Sequence, residues 1–188
     1  MIETELIKKE ILAIVCSIIP FDHEERKHLD FVQTWIASGV EIFRTAKPDK
    51  PKTHLVSYFV LVDPSTNEFL LADHKKAELW LPPGGHVEVG EHPKQTVQRE
   101  ILEELGIEAE FLCDDPQFVT VTDTVGNISQ HTDVSLWYVL QGNRNQHLKF
   151  DDREFHQIRW FLPIDIPYTR TDPHMKRFVD KMMKNILL

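Results

Sequence analysis

The sequence lacks the features that mark several large classes of protein. It has only two cysteines in 188 residues, and these are not in a CxxC pair. We therefore expect Cys16 and Cys113 to be buried free thiols in a reducing compartment. The run Ile11–Ile19 faintly resembles a signal-peptide core, but it is too short to span a bilayer and no small-x-small cleavage site follows it. We expect a cytoplasmic protein that does not bind membranes.

An excess of positive charge is also missing. Lysine and arginine total 21 against 30 aspartates and glutamates, which gives a formal net charge of −9 at pH 7. General binding to nucleic acid or to an anionic membrane requires a positive surface, so neither is expected. A small phosphate-bearing substrate remains compatible, because a bound metal ion can supply positive charge locally.

The first part of the chain is expected to form a helical arm. Residues up to about Ala46 read as helical, and Asp22 followed by Glu25 resembles the start of a helix with a capping box. Three apolar residues recur at helical spacing: Leu29, Val32 and Ile36. The charged stretch 47–52 contains two prolines and reads as a linker, so we divide the chain into an arm and linker (1–52) and a main domain (53–188).

The main domain is expected to combine a mixed β-sheet with helices. Pro93 opens a helix that runs to Leu105 and stops at Gly106, and a last helix starts near Pro173. Alternating and β-branched residues predict the strands, in chain order, at 54–63, 68–72, 109–112, 118–122, 134–140 and 157–161.

The predicted helix 93–105 carries two distinct faces. Its buried stripe is formed by Val97, Ile101 and Leu105, with Leu102 on its flank. Three carboxylates lie together on another face: Glu100, Glu103 and Glu104. Like charges at this spacing repel by about 0.2–0.5 kcal/mol per pair. A solvated acidic face is the usual explanation of such a pattern. The preceding loop Pro83-Gly84-Gly85 favours a metal site instead. Its backbone can approach a ligand closely, and carboxylates with a carbonyl suit Mg²⁺ or Mn²⁺.

The segment 85–107 resembles the signature of the Nudix family, GX5EX7REUXEEXGU, where U is aliphatic. Every fixed position matches: Gly85, Glu91, Arg99, Glu100, Ile101, Glu103, Glu104, Gly106 and Ile107. The flanking strand pattern agrees with the α/β/α sandwich of that family. The resemblance therefore implies a Nudix-type α/β (α+β) sandwich with a mixed sheet, and the helical arm before it is not part of the common Nudix core.

The resemblance implies roles for residues inside the signature. Glu100 and Glu104 look like the principal metal ligands, and Glu103 would be a further ligand or the base that activates water. A carbonyl of Gly84 or Gly85 would be a backbone ligand. In addition, Arg99 would orient the glutamates, Glu91 would pair with Arg99, and Gly106 would end the helix.

Four residues that do not occupy fixed positions of the signature are further candidates. In similar Nudix proteins, an acidic residue at the position of Glu154 reaches an extra metal or serves as base; a solvated loop charge is the alternative. Asp133, Ser135 and Trp137 alternate on one strand face that could line the substrate cleft. Trp137 is a candidate for stacking on a base and His86 for contacting a phosphate. The other nine histidines are expected on the surface.

The arm is expected to pack on its own domain and to contact the pocket through Trp35 or Phe43. Packing between chains is the alternative, so both a monomer and a homodimer remain open. The apolar stripe of the arm cannot stay in water in either case.

The resemblance implies a hydrolase that uses Mg²⁺ or Mn²⁺ to cleave a diphosphate bond in a nucleoside diphosphate linked to another group. A nucleoside triphosphate or a nucleotide sugar is the default substrate. The chain lacks the residues near Asp123 that resemble ADP-ribose or dinucleoside polyphosphate hydrolases, and it lacks the coenzyme A hydrolase pattern before Gly84.

Two other functions occur on this fold. A non-catalytic Nudix sensor domain typically loses signature carboxylates, and this chain has lost none. A diphosphate isomerase depends on a cysteine in a characteristic motif and has a degraded signature. Neither Cys16 nor Cys113 has such a setting, so hydrolysis is the favoured function.

Overall fold

The computed structural model describes residues 2–47, 49–124 and 130–185. The helices are α1 (Ile2–Ser17), α2 (His23–Ala37), α3 (Pro93–Leu105) and α4 (Met175–Asn185). The strands are β1 (Thr53–Asp63), β2 (Glu68–His74), β3 (Leu79–Leu81), β4 (Gly84–His86), β5 (Phe118–Asp123), β6 (Thr132–Gln141) and β7 (Phe155–Phe161). Among the described residues, no helix is both long enough and apolar enough to cross a membrane.

All seven strands belong to one mixed sheet. The strand order is β3-β2-β1-β6-β5, with β4 paired to β1 and β7 paired to β2. Strands β1 and β6 are parallel, with His54 opposite Asp133, and the other pairs are antiparallel. Both central strands are buried on their two faces, which explains their nearly continuous apolar sequences.

Helices cover both faces of the sheet, as the Nudix-type sandwich requires. One face buries Leu55, Phe59 and Leu61 with apolar residues of α1, α2 and α3. The opposite face buries Val60 and Trp137 against α4. The expected α/β/α sandwich with a mixed sheet is therefore confirmed.

Local sequence fixes the bounds of α3. His92 and Gln95 form a reciprocal capping arrangement, in which the Lys94 N–H donates to His92 and the His92 N–H donates to Gln95. At the other end Gly106 adopts a left-handed φ of 66° and its N–H donates to the Leu102 carbonyl at 3.1 Å. The helix bounds match the prediction, although the Leu102 side chain is 58% exposed and lies outside the buried stripe.

Several predictions about local structure were wrong. Helix α2 ends at Ala37, and the chain from there to Ala46 is not helical. The segment 109–112 forms only an isolated bridge between Phe111 and Leu140. The short strands β3 and β4 were not predicted, because three residues carry too little periodicity. The two cysteines are free as expected, but Cys16 is exposed and Cys113 is only partly buried.

The arm is part of the main hydrophobic core. It contributes eight buried apolar residues: Ile11, Val15, Ile18, Leu29, Val32, Ile36, Ile42 and Phe43. Within the arm, Asp22 caps α2 by accepting the Glu25 N–H at 2.8 Å, as the capping pattern predicted. The arm packs on its own domain, so its apolar stripe needs no second chain to cover it.

Two ion pairs join the arm to α4. Asp22 accepts from Arg177 at 2.5 and 2.7 Å, and this pairing lowers the pKa of Asp22 to about 2. Glu25 and Lys181 meet at 2.8 Å with side-chain exposures of 0% and 5%. Burial raises the pKa of Glu25 and lowers that of Lys181. Each charge of this second pair therefore depends on the other to remain ionised.

We expect Lys181→Met to lower the free energy of unfolding by about 3–5 kcal/mol, because it leaves the Glu25 carboxylate buried without its partner. The double variant Lys181→Met/Glu25→Gln should recover most of the loss, since glutamine is neutral and can still accept the Phe21 N–H that Glu25 accepts at 2.6 Å. Urea denaturation measures both variants. The exposed Lys184→Met is the matched control, and a single variant as stable as the parent protein would contradict the prediction.

Candidate active site

The C-terminal half of α3 presses its carboxylates against the glycine-rich loop. The Gly84 N–H donates to the Glu104 carboxylate at 3.0 Å. A side-chain carbon at Gly85 would lie 2.0 Å from the Glu100 Oε1, and one at Gly84 would lie 2.2 Å from the Ser57 carbonyl. A side chain at Gly84 would clash with the backbone of β1, and one at Gly85 would displace the Glu100 carboxylate, which explains the Gly84-Gly85 pair.

Burial and like charge make this carboxylate cluster unusual. Burial, the Glu100 charge and the Glu154 charge raise the pKa of Glu104 to about 9. Burial also raises the pKa of Glu100, where the neighbouring Arg99 opposes the shift. Glu103 is different, because its side chain is 61% exposed. Two desolvated carboxyls side by side could hold a divalent cation, which would favour their ionised forms.

Arg99 links the cluster to the loop. It donates to both oxygens of Glu91 at 3.0 Å, to Glu100 at 2.6 Å and to the His86 carbonyl at 3.3 Å. Glu91 also accepts from the Thr96 hydroxyl at 2.8 Å. Arg99 therefore shares its charge between Glu91 and Glu100. The expected pairing of Glu91 with Arg99 is present.

Glu154 faces this cluster from the loop before β7. Its side chain is exposed, and its charge contributes to the raised pKa of both Glu100 and Glu104. The loop is held on α3, because the Asp151 N–H donates to the Glu104 carbonyl at 2.9 Å. The structure thus brings Glu154 to the place expected from the sequence.

A cleft of about 420 Å³ opens in front of the sheet beside the carboxylates. Its lining includes Tyr58, His86, Asp133 and Glu154. A smaller recess of about 150 Å³ shares His86 and Asp133 with the cleft and is also lined by Glu104. His86 and Asp133 therefore lie where a substrate bound at the carboxylate cluster would extend. The volume falls in the range of small-molecule sites.

Trp137 does not line this cleft, which corrects the expectation that it could stack on a base. Its side chain is fully buried, and its Nε1 donates to the Thr120 hydroxyl at 2.9 Å. The ring packs between Phe118 and Phe178, because α4 covers this part of the sheet face. Tyr58, whose ring centroid lies 5.2 Å from that of Trp137, is the aromatic residue that reaches the cleft.

The two aromatic residues of the arm that were expected at the pocket do not line the cleft. Phe43 is fully buried in the core, and all described residues that line the cleft and its recess lie at or after Val56. The expected pocket contact through Trp35 or Phe43 is therefore wrong. Phe43 belongs to the hydrophobic core between the arm and the sheet, and Trp35 packs against that core.

The expectation that nine histidines lie on the surface is also wrong. His54 is fully buried, His28 is 9% exposed, and the His131 side chain is 15% exposed. Parallel pairing of β1 with β6 sets His54 opposite Asp133, close to His86 and His131. The alternation of His131 with Asp133 was visible in the sequence, but the contact with His54 required the sheet register.

Comparison with known proteins gives a consistent result. The model of the NUDIX domain family matches residues 52–182. Asymmetrical bis(5'-nucleosyl)-tetraphosphatases from Mus musculus and Rattus norvegicus are each 48% identical over 77 residues, which is 40% of this chain and 45% of the relative. The match thus spans less than half the length of these curated relatives.

Solved structures share the fold. The Escherichia coli dihydroneopterin triphosphate pyrophosphohydrolase superposes with a TM-score of 0.57 at 16% identity, covering 70% of this chain and 95% of that chain. A NUDIX-family hydrolase from Clostridium perfringens gives a TM-score of 0.50 at 21% identity, covering 70% and 96%. At these identities the likeness establishes the architecture alone.

Proposed function

The chain belongs to the Nudix family, and from this premise we propose that it is a divalent-metal-dependent hydrolase of pyrophosphate bonds. Its substrate would be a nucleoside diphosphate linked to another group. The observation that carries the proposal is the pair of desolvated carboxyls, Glu100 and Glu104, packed against the Gly84-Gly85 loop beside an open cleft. The two carboxylates would hold a cation that balances their charges, beside the place where a diphosphate would lie.

We assign Glu100 and Glu104 as the ligands of Mg²⁺ or Mn²⁺, with a carbonyl of Gly84 or Gly85 completing the protein contribution. The site fits such an ion, because hard oxygen donors surround it and the glycines leave room for close approach. When bound, the cation neutralises the diphosphate and lowers the pKa of a coordinated water.

The remaining charged residues would position the reactants. Glu103 and Glu154 are the candidates for the base, since both are exposed enough to accept a proton from water and lie at the edge of the cluster. Arg99 holds Glu100 and the loop carbonyl of His86 in fixed places. That arrangement lets the protein supply orientation, which is its main contribution to this chemistry.

The cleft wall would hold the part of the substrate beyond the diphosphate. We assign this role to His86 and Asp133, and we add Tyr58 as the aromatic surface for a base in place of Trp137. A carboxylate such as Asp133 repels phosphate and accepts hydrogen bonds from hydroxyl or amino groups. It is therefore suited to a ribose or a base.

The two candidate substrate classes differ in the group that is linked to the nucleoside diphosphate. A nucleoside triphosphate or nucleotide sugar is the default from the sequence. A dinucleoside polyphosphate is favoured by the 48% identical segment shared with the two tetraphosphatases. We propose to compare these classes directly on the same preparation.

A substrate panel with metal control tests the function. The protein is treated with EDTA, and hydrolysis of a dinucleoside tetraphosphate, nucleoside triphosphates and nucleotide sugars is followed by chromatography. We expect no turnover in EDTA and full recovery with Mg²⁺ or Mn²⁺, because the carboxyls alone provide no positive charge. Full activity of the metal-free protein would refute the mechanism.

Isotopic water distinguishes the alternative functions. A hydrolase incorporates ¹⁸O from the solvent into one phosphate product, whereas a diphosphate isomerase does not. A sensor domain would bind nucleotides and release no product from any compound of the panel. Either result in the presence of both metals would overturn the proposal.

A further inference from the structure

A cluster of three histidines and an aspartate lies beside the cleft, separate from the glutamates, and two of its members, His86 and His131, line the cleft. Asp49 comes from the segment before β1, His54 from β1, His86 from β4, and His131 from the residue before β6. One potential ligand atom from each residue lies within 4.8 Å of those of the other three. Three distant stretches of the sequence, 49–54, His86 and His131, therefore converge on one small volume.

His54 is held with one ring nitrogen directed at this volume. Its side chain is fully buried, and its Nδ1 lies 2.9 Å from the Pro51 carbonyl. Because a carbonyl only accepts, Nδ1 must carry the hydrogen, which in the neutral ring leaves the lone pair on Nε2. A backbone carbonyl that fixes the ring in this way is typical of metal-binding histidines.

The Nε2 atom of His54 lies beside another hydrogen-bond acceptor. This atom has no hydrogen-bond partner and lies 3.3 Å from the Asp133 Oδ1, which also has none. A lone pair and a carboxylate oxygen repel each other at this distance unless a proton or a metal cation stands near both. Buried acceptors without partners are unfavourable, so the arrangement calls for a proton or a metal cation at this place.

The other imidazoles surround the same place. The His86 Nε2 is also buried without a hydrogen-bond partner. The ring of His54 lies 4.8 Å from that of His86 and 5.0 Å from that of His131, measured between centroids. His131 lies 3.5 Å from Asp49 and 3.3 Å from Asp133. Two carboxylates thus border the three rings.

We propose that Asp49, His54, His86 and His131 form a second metal site, selective for a borderline transition ion such as Zn²⁺. Three imidazoles with one carboxylate match Zn²⁺ in ligand type and number, whereas Mg²⁺ prefers the oxygen ligands of the glutamate cluster. Tetrahedral Zn–N bonds of about 2.0–2.1 Å place ligand atoms about 3.4 Å apart. The widest separation of 4.8 Å would close by a shift of somewhat more than 1 Å shared between side chains.

The site would join the segment before β1 to the start of the sheet. His86 belongs both to this cluster and to the lining of the cleft. A bound ion would consequently tie Asp49 to three sheet elements and place positive charge on the cleft wall.

Metal titration of the full chain tests the proposal. The protein is stripped with EDTA and titrated with Zn²⁺ in excess Mg²⁺ by calorimetry, and Co²⁺ is used as a spectroscopic probe. The double variant Glu100→Gln/Glu104→Gln removes the carboxylate site from the measurement. We expect it to bind one equivalent of Zn²⁺ and to give the visible absorption of tetrahedral Co²⁺.

Variants of the cluster identify the ligands. On the same background, His131→Gln and Asp49→Asn should each weaken Zn²⁺ binding by at least about 10–100-fold, the range found when even a supporting residue of a metal site is lost. The exposed His156→Gln on β7 is the matched control and should bind as the parent does. Circular dichroism confirms that each variant folds.

Three outcomes would overturn the site. These are the absence of stoichiometric Zn²⁺ binding, unchanged binding in both His131→Gln and Asp49→Asn, or binding that disappears only with the glutamate substitutions. The first would leave a shared proton between His54 and Asp133 as the explanation of their contact. None of these outcomes bears on Mg²⁺-dependent hydrolysis, which the glutamate variants test separately.

Discussion

Replacing Glu104 with glutamine should lower kcat by about 10²–10⁴-fold, the scale of losing a key electrostatic or acid–base group. The substitution removes the charge that would hold the cation and preserves the size of the side chain. The Gly84 N–H can still donate to the glutamine oxygen, as it does to Glu104 at 3.0 Å. Steady-state kinetics at saturating Mg²⁺ measure the loss, and Glu100→Gln should behave similarly.

The same variant should not lose stability without metal. Because the folded-state pKa of Glu104 is about 9 and the usual pKa of a glutamate is 4.5, the folded protein holds a proton that the unfolded chain releases between these pH values. The stability of the parent protein therefore falls as pH rises through this window. A glutamine has no proton to lose, so Glu104→Gln should be more stable than the parent at pH 8 in EDTA.

The exposed Glu108→Gln is the control for these measurements. It lies just past the C-terminal end of α3 and removes one carboxylate of the same kind. Its kinetics should match those of the parent protein. Unchanged kinetics of Glu100→Gln and Glu104→Gln at saturating metal would refute the ligand assignment, whatever the control does.

Deleting residues 1–46 should prevent the remaining chain from folding. The eight buried apolar residues of the arm are each worth about 1.5–3 kcal/mol of burial, and their sum is as large as or larger than the typical net stability of about 5–15 kcal/mol. The deletion would also leave the buried Lys181 without its ion-pair partner Glu25. Circular dichroism and light scattering should show an unfolded or aggregated product.

Point substitutions in α2 provide a graded version of this test. Leu29→Ala removes a fully buried side chain and should cost about 2–5 kcal/mol of unfolding free energy. Phe31→Ala, at 46% exposure on the same helix, should cost much less. A truncated chain that is folded, monomeric and kinetically intact would show instead that the arm and the Nudix domain are separable units.

Features set by local sequence could be predicted. Pro93 and Gly106 set the bounds of α3, and the spacing of Glu100 and Glu104 set their shared face. The burial of Trp137 could not be predicted in this way. Its position on the face of Asp133 was correct, but the sequence does not reveal how far α4 covers that face.

The histidine cluster could not be derived for a related reason. Its members lie in four segments, and only the parallel register of β1 with β6 brings His54 beside Asp133. Register between strands separated by about 80 residues depends on the packing of the whole sheet. No periodicity within a single segment contains that information.

The pairing of Asp22 with Arg177 has a consequence for synthesis of the protein. The two residues are 155 positions apart, so at about 5–20 residues per second the ribosome makes Arg177 roughly 8–30 s after Asp22. For much of that interval α1 and α2 have no finished sheet to pack on. The nascent arm would expose Leu29 and Val32 until β5 and β6 are made, and such an apolar segment is the kind that chaperones of unfinished chains bind.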